Sequence, residues 1–285
     1  MLRRMMLLLV AGLAGCVTLS GAPPSEAPLP PDVNYTVQKA LTYTPEGWPQ
    51  AQLADLYLPQ GAGPFPTVIV VHGGGWVRGD RFTMDGISKR LAAQGFVTLN
   101  IEYRLAPAYL FPAALEDLQQ AVRWIRANAA LYHVDPARVG VWGYSAGAEL
   151  AALLGTLSPG DPQFAVDARV QAVVAGGTPA DLRYASNSSL VQKYVGATIA
   201  DRPDLYRDIS PIAFVSADDP PMYLYHGTFD LVVFQINAVK MKQALDQVGV
   251  PAELYLVHGT GHIGTFIFSR GAETEGLKFL ERQLH

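Results

Sequence analysis

Residues 139–157 read VGVWGYSAGAELAALLGTL. The segment Val139–Trp142 is a short apolar run of strand character, and Ala148–Leu157 is a run of small and apolar residues of helical character. Between them lies Gly143-Tyr144-Ser145-Ala146-Gly147, a G-x-S-x-G pentapeptide in a strand–turn–helix setting. A turn this sharp leaves little room for side chains, which explains the flanking glycines. It holds the serine at the sheet edge, at a helix N-terminus that favours negative charge.

Outward from this stretch, short apolar runs recur. Thr67–Val71, Val97–Ile101, Val170–Ala175, Met222–Tyr225 and Leu254–Val257 read as strands covered on both faces. Val33–Tyr43 and Ala51–Leu58 precede them, and Ala54, Leu56 and Leu58 alternate with polar or amphipathic neighbours as in a half-exposed strand. One helix is expected from Pro112, with Leu115, Leu118, Val122 and Ile125 on one stripe. Another carries Phe234, Ala238, Met241, Leu245 and Val248 and stops at Gly249. Strands alternating with helices predict an α/β fold, a mostly parallel sheet with helices on both faces. The stretch 178–210 breaks this rhythm. It is read either as a small cap, with Tyr184, Tyr194 and Tyr206 available to substrate, or as a surface crossover whose tyrosines only pack.

A serine hydroxyl is a poor nucleophile without a base, and in this context the expected chain order is serine, acid, histidine. Asp230 lies just past the strand Met222–Tyr225, and His262 just past Leu254–Val257. Ends of parallel strands share one edge, so Ser145, Asp230 and His262 are expected to converge there. Asp218 and Asp219 precede their strand and fall at the wrong edge, and Asp246 lies on a helix. His258 is the competitor of His262, expected to be packed or hydrogen-bonded. His226 is expected to brace the acid loop, and His133 to cap or face solvent at a helix end. His72-Gly73-Gly74-Gly75-Trp76 follows the strand Thr67–Val71. Consecutive glycines can turn backbone N–H groups toward one oxyanion. Gly74, Gly75 and Ala146 are the candidate donors, His72 is assigned a structural role, and Trp76 is a candidate for the pocket wall.

HGGGW at 72–76, YRLAP at 103–107, FPAALED at 111–117 and GYSAG at 143–147 together resemble the hormone-sensitive-lipase-like esterases of the α/β-hydrolase superfamily. VDPARVGVWGYSAG and ISPIAFVSADDPPMYLYHG look closer to a bacterial feruloyl-esterase-like branch. The resemblance runs from about Val33 to the C-terminus. It implies a carboxylester hydrolase that uses no cofactor, with Ser145 as nucleophile, His262 as general base, Asp230 orienting the imidazole and Arg104 structural. A small-molecule ester, small or aromatic, is the implied substrate. Tyr144 replaces the acidic residue usual before the serine and is expected to sit beside the scissile bond and bind substrate. Ala148 stands where a further glycine is usual. An amidase, formamidase or peptidase would use the same residues, and a non-catalytic binding protein on this fold is the third reading.

The chain has 285 residues, 49% hydrophobic and 16% charged, which describes a globular domain. A net charge of −4 without a cationic stripe argues against nucleic acid as a partner. No metal-ligand motif or dinucleotide fingerprint is present. Arg3 and Arg4 followed by the apolar run Met5–Leu13 read as an export signal over residues 1–15. Leu13-Ala14-Gly15-Cys16 resembles a bacterial lipobox, which implies a lipid on Cys16, the only cysteine. The alternative is a plain secretory signal cut after Ala22. Residues 16–31, rich in proline, are expected to be a tether and 32–285 the domain. The expected location is the cell envelope, on the outer membrane or periplasmic face in a Gram-negative cell. Oligomeric state is not readable from the sequence.

Overall fold

A computed structural model describes residues 17–20, 28–185 and 187–285. The expected signal peptide, Cys16 and residues 21–27 of the expected tether lie outside the described residues. The strands are β1 (Val17–Ser20), β2 (Tyr35–Thr42), β3 (Leu53–Pro59), β4 (Phe65–Val71), β5 (Val97–Ile101), β6 (Val134–Tyr144), β7 (Ala172–Gly176), β8 (Met222–Gly227) and β9 (Ala252–Val257). The helices are α1 (Asp85–Ala93), α2 (Ala113–Ala127), α3 (Ala129–Tyr132), α4 (Ala146–Thr156), α5 (Ser189–Val195), α6 (Pro203–Asp208), α7 (Ile236–Gln247), α8 (His262–Phe268) and α9 (Arg270–Leu284).

Among the described residues the strands form one sheet in the order β1-β9-β8-β7-β6-β4-β5-β3-β2. The block from β5 through β4, β6, β7 and β8 to β9 is parallel. β3 and β2 are antiparallel additions at one edge, and β1 at the other. Both faces are covered, and this is why the central strands are mostly apolar on both faces. Ile69 and Val71 of β4, Val141 of β6, Val173 of β7 and Leu224 of β8 enter one core with α2, α4 and α7. Their neighbours Val68, Val70, Trp142, Val174 and Tyr223 enter a second core with α1 and α9. The period-2 alternation thus supplies two apolar faces from one strand.

α2 buries Leu115, Leu118, Val122 and Ile125 as the stripe predicts. Pro112 precedes the first helical residue rather than being it. α7 buries Ala238, Met241 and Leu245, but Phe234 lies before the helix and is exposed. The tether reading is corrected in part. Val17–Ser20 pair with β9, and Leu29 packs against the second core. Asp32 accepts a hydrogen bond from Gln94, and the Val33 N–H donates to the Ala93 carbonyl. The proline-rich stretch therefore connects strands at opposite edges of the sheet. Apolar Leu29 has a core to cover, which composition alone does not reveal.

Candidate active site

β6 ends at Tyr144, and α4 begins at Ala146. Ser145 makes the whole turn, at φ 56° and ψ −122°. A residue with a side chain rarely adopts this backbone and holds it only where the surroundings fix it. Here the Ser145 N–H donates to the Gly176 carbonyl at 2.7 Å, while its own carbonyl accepts from Ala148 and Glu149. Close approach explains the glycines. A Cβ on Gly147 would strike the Val71 and His72 carbonyls, and one on Gly143 would strike the Gly147 backbone. α4 is buried on every side, so it is pressed directly onto the end of β4.

Ser145, His262 and Asp230 meet at the C-terminal edge of the parallel block. Ser145 Oγ lies 2.8 Å from His262 Nε2, and His262 Nδ1 lies 2.6 Å from Asp230 Oδ2. The carboxylate beside Nδ1 accepts, so Nδ1 carries the proton and Nε2 is free to accept from the serine hydroxyl. Burial by itself would raise the Asp230 carboxyl. Hydrogen bonds from His226, His262 and the Val233 N–H outweigh it and hold the group well below the usual carboxylate range. Val232 and Val233 both donate to Oδ1, at 2.9 and 2.8 Å. His226 Nε2 lies 2.7 Å from the Val233 carbonyl and 3.3 Å from Asp230 Oδ2, bracing the acid loop as expected.

His258 is exposed on the turn after β9, so of its two expected roles, packed or hydrogen-bonded, the packed one does not hold. The strand ends at Val257, one residue before it, so the chain has already left the core. His133 caps α3 in the left-handed conformation. His72 is fully buried and stacks on Tyr103, with ring centroids 4.2 Å apart; burial lowers its pKa. Arg104 pairs with buried Asp117 and with Glu116, fixing the loop that follows β5 onto α2.

A cleft of about 510 Å³ opens over Ser145. Gly75, Trp76 and Ala146 line it, and Gly74 lies beside them in the loop, at φ 120°, with its Cα packed against the Arg78 carbonyl. Among the described residues, no acceptor in the chain takes the N–H of Gly74, Gly75 or Ala146. Trp76 stacks on Tyr194 at 4.7 Å, and its indole N–H donates to Glu149 at 2.8 Å. Tyr184 is exposed and lines the cleft, whereas Tyr194 and Tyr206 are buried and pack.

Tyr144 is not where the sequence reading puts it. It is buried, lies off the cleft, and donates its hydroxyl to the His262 carbonyl at 2.6 Å. The reason is strand alternation: Trp142 and Tyr144 share the face of β6 that enters the second core. Three contributions were missed. Glu149 is a buried carboxyl in the first turn of α4, four residues after Ser145, and its polarity in an apolar helix was the available signal. Leu190 and Val191 of α5, and Val232 to Phe234 of the acid loop, form the cleft wall. Nothing local marks these residues, since their role arises only when two distant loops meet.

The fold and site define an α/β-hydrolase architecture, and solved structures agree. A truncated carbohydrate esterase from gut microbiota superposes with a TM-score of 0.77 at 26% identity, covering 93% of this chain and 99% of that one. A Pyrobaculum calidifontis esterase gives 0.71 at 26% identity, covering 87% and 85%. The BD-FAE family model matches residues 54–245, well over half of the chain, so the chain belongs to the BD-FAE family. Among curated proteins, Esterase LipC of Mycobacterium tuberculosis is 36% identical over 216 residues, covering 70% of this chain and 53% of that protein. The chain spans about half the length of the first curated relatives it matches.

Proposed function

We propose that this chain is a serine-dependent carboxylic ester hydrolase. The observation that carries the reading is the relay Ser145–His262–Asp230, aligned at 2.8 and 2.6 Å at the floor of a cleft. The relatives named as esterases support the bond class. The serine oxygen attacks the ester carbonyl while His262 Nε2 takes its proton. Asp230, held ionised, keeps the imidazole in the required tautomer and stabilises the imidazolium. Negative charge develops on the carbonyl oxygen, and the N–H groups of Gly74, Gly75 and Ala146 are the donors for it. A donor of this kind is worth about 3–4 kcal/mol. The C–O bond breaks, and the alcohol leaves with the proton from His262. Water then repeats the sequence on the acyl-enzyme and releases the acid.

Trp76, Tyr184 and Phe234 give the cleft aromatic walls, which suits small or aromatic esters. An amidase would use the same groups. Purified protein offered phenyl acetate and acetanilide is expected to cleave the ester far faster. Turnover of the anilide alone would defeat the ester assignment.

The lipobox-like segment ending at Cys16 supports an exported, lipid-anchored protein of the cell envelope. No helix among the described residues is long and apolar enough to cross a membrane. Cys16→Ser is expected to move the protein from the membrane fraction to the soluble fraction. Unchanged fractionation would rule out lipid at this position.

A further inference from the structure

Exposed apolar side chains lie at and beside the mouth of the cleft. Tyr184, Phe229, Leu231, Val232, Phe234 and Ile263 are between 62% and 80% exposed. They belong to the turn at 182–184, the loop after β8 and the first turn of α8. The last two segments are tied together: the Phe229 N–H donates to the Thr260 carbonyl, and the Gly259 N–H to Thr228 Oγ1. Tyr184, Val232 and Phe234 also line the cleft, so rim and mouth are one continuous surface.

Charge is sparse on two of the three segments, while Asp181 and Lys240, the latter 4.8 Å over the Tyr184 ring, line the cleft beside the third. Residues 228–236 and 259–268 contain two ionisable groups, Asp230 and His262, and both are buried in the site. Surface loops facing only water normally carry exposed charge. Contiguous apolar surface rimming a site marks contact with a membrane or another macromolecule.

The register of β1 favours the membrane. β1 runs antiparallel to β9, with Val17 opposite Val257 and Ser20 opposite Leu254. Val257 is the C-terminal residue of its strand, so Val17 lies at the same sheet edge as Asp230 and His262. The residue bonded to Val17 is Cys16. A lipid there would hold this edge, and not the opposite one, toward a bilayer.

We propose that the apolar rim seats on a lipid bilayer with the mouth of the cleft facing it, so that esters partitioned into the bilayer enter from that side. The orientation rests on the lipid-anchor reading, while the binding of the rim to lipid does not, and the test uses protein without the lipid. Full-length Cys16→Ser protein is mixed with vesicles of phosphatidylcholine and phosphatidylglycerol and floated on a density gradient. It is expected to float with the vesicles. Adding Leu231→Ser and Ile263→Ser, which remove apolar contact without touching the cleft, is expected to lower the partition coefficient roughly tenfold or more. Hydrolysis of a short water-soluble aryl ester by the same variant is expected to stay within about twofold of its parent, since neither Leu231 nor Ile263 lines the cleft. Failure of the Cys16→Ser protein to float, or flotation unaffected by the two serines, would overturn the proposal. So would a concentration-dependent dimer in light scattering that the two serines abolish, because the rim would then be covered by a second copy.

Discussion

Glu149 is a carboxyl inside an apolar helix. One of its oxygens accepts from the Trp76 indole, and the other has no hydrogen-bond partner among the described residues. Burial raises its pKa well above the ordinary value of 4.5, and the Trp76 hydrogen bond only partly opposes this. Burial therefore favours the neutral form of this group. A carboxyl raised in this way contributes stability that is complete below its unfolded value and is lost as pH rises toward the folded one. Glu149→Gln keeps the acceptor for Trp76 and removes the titration. The melting temperatures of variant and parent are expected to agree near pH 4, and the variant is expected to gain on the parent as the pH rises above that. A difference that does not change with pH would show that Glu149 is not held neutral. Ser145 is the other residue under constraint. Its backbone costs on the order of 1–3 kcal/mol, offset by the hydrogen bond to Gly176 and the packing of α4 on β4.

The loop after β5 holds the HGGGW segment, with the Tyr103 hydroxyl donating to the His72 carbonyl and the Ala106 N–H to the Trp76 carbonyl, and it depends on a brace set outside the site. The loop after β5 is fixed by Arg104, whose guanidinium meets Asp117 and Glu116 of α2, while the Trp48 indole also donates to Asp117. Asp117 is fully buried, so its charge depends on this partner. Arg104→Met is expected to destabilise the protein by about 3–5 kcal/mol in urea unfolding, because it strands a buried carboxylate. A loss under about 1 kcal/mol would mean that the pair is replaced by water. At this scale the sequence is legible where one rule dominates. β7, and β4 from Val68 to Val71, are apolar at every position because both faces are buried. The stripe of α2 is periodic because only one side is. Tyr144 was legible in principle, since β6 alternates, but the resemblance to relatives with an acidic residue there drew attention to the cleft instead. The walls at 190–191 and 232–234 were not legible, because approach of distant loops leaves no local pattern. Val17–Ser20 likewise gives no sign in composition that it joins β9.

Across the molecule, the order of strands explains why three side chains spread over 117 residues of chain meet at one place. β6, β8 and β9 are parallel and end at one edge, and each hands its functional residue to the loop beyond. The HGGGW loop leaves β4 at the same edge, where Gly73 packs against Ser145. The central claim is that this convergence makes the Ser145 hydroxyl a nucleophile through His262. A fluorophosphonate probe followed by peptide mass spectrometry tests it directly. The adduct is expected on Ser145, with labelling slowed by about a thousandfold or more in a folded His262→Ala variant, the scale on which removing one triad member acts. An adduct on another residue, or a labelling rate indifferent to His262, would contradict the account.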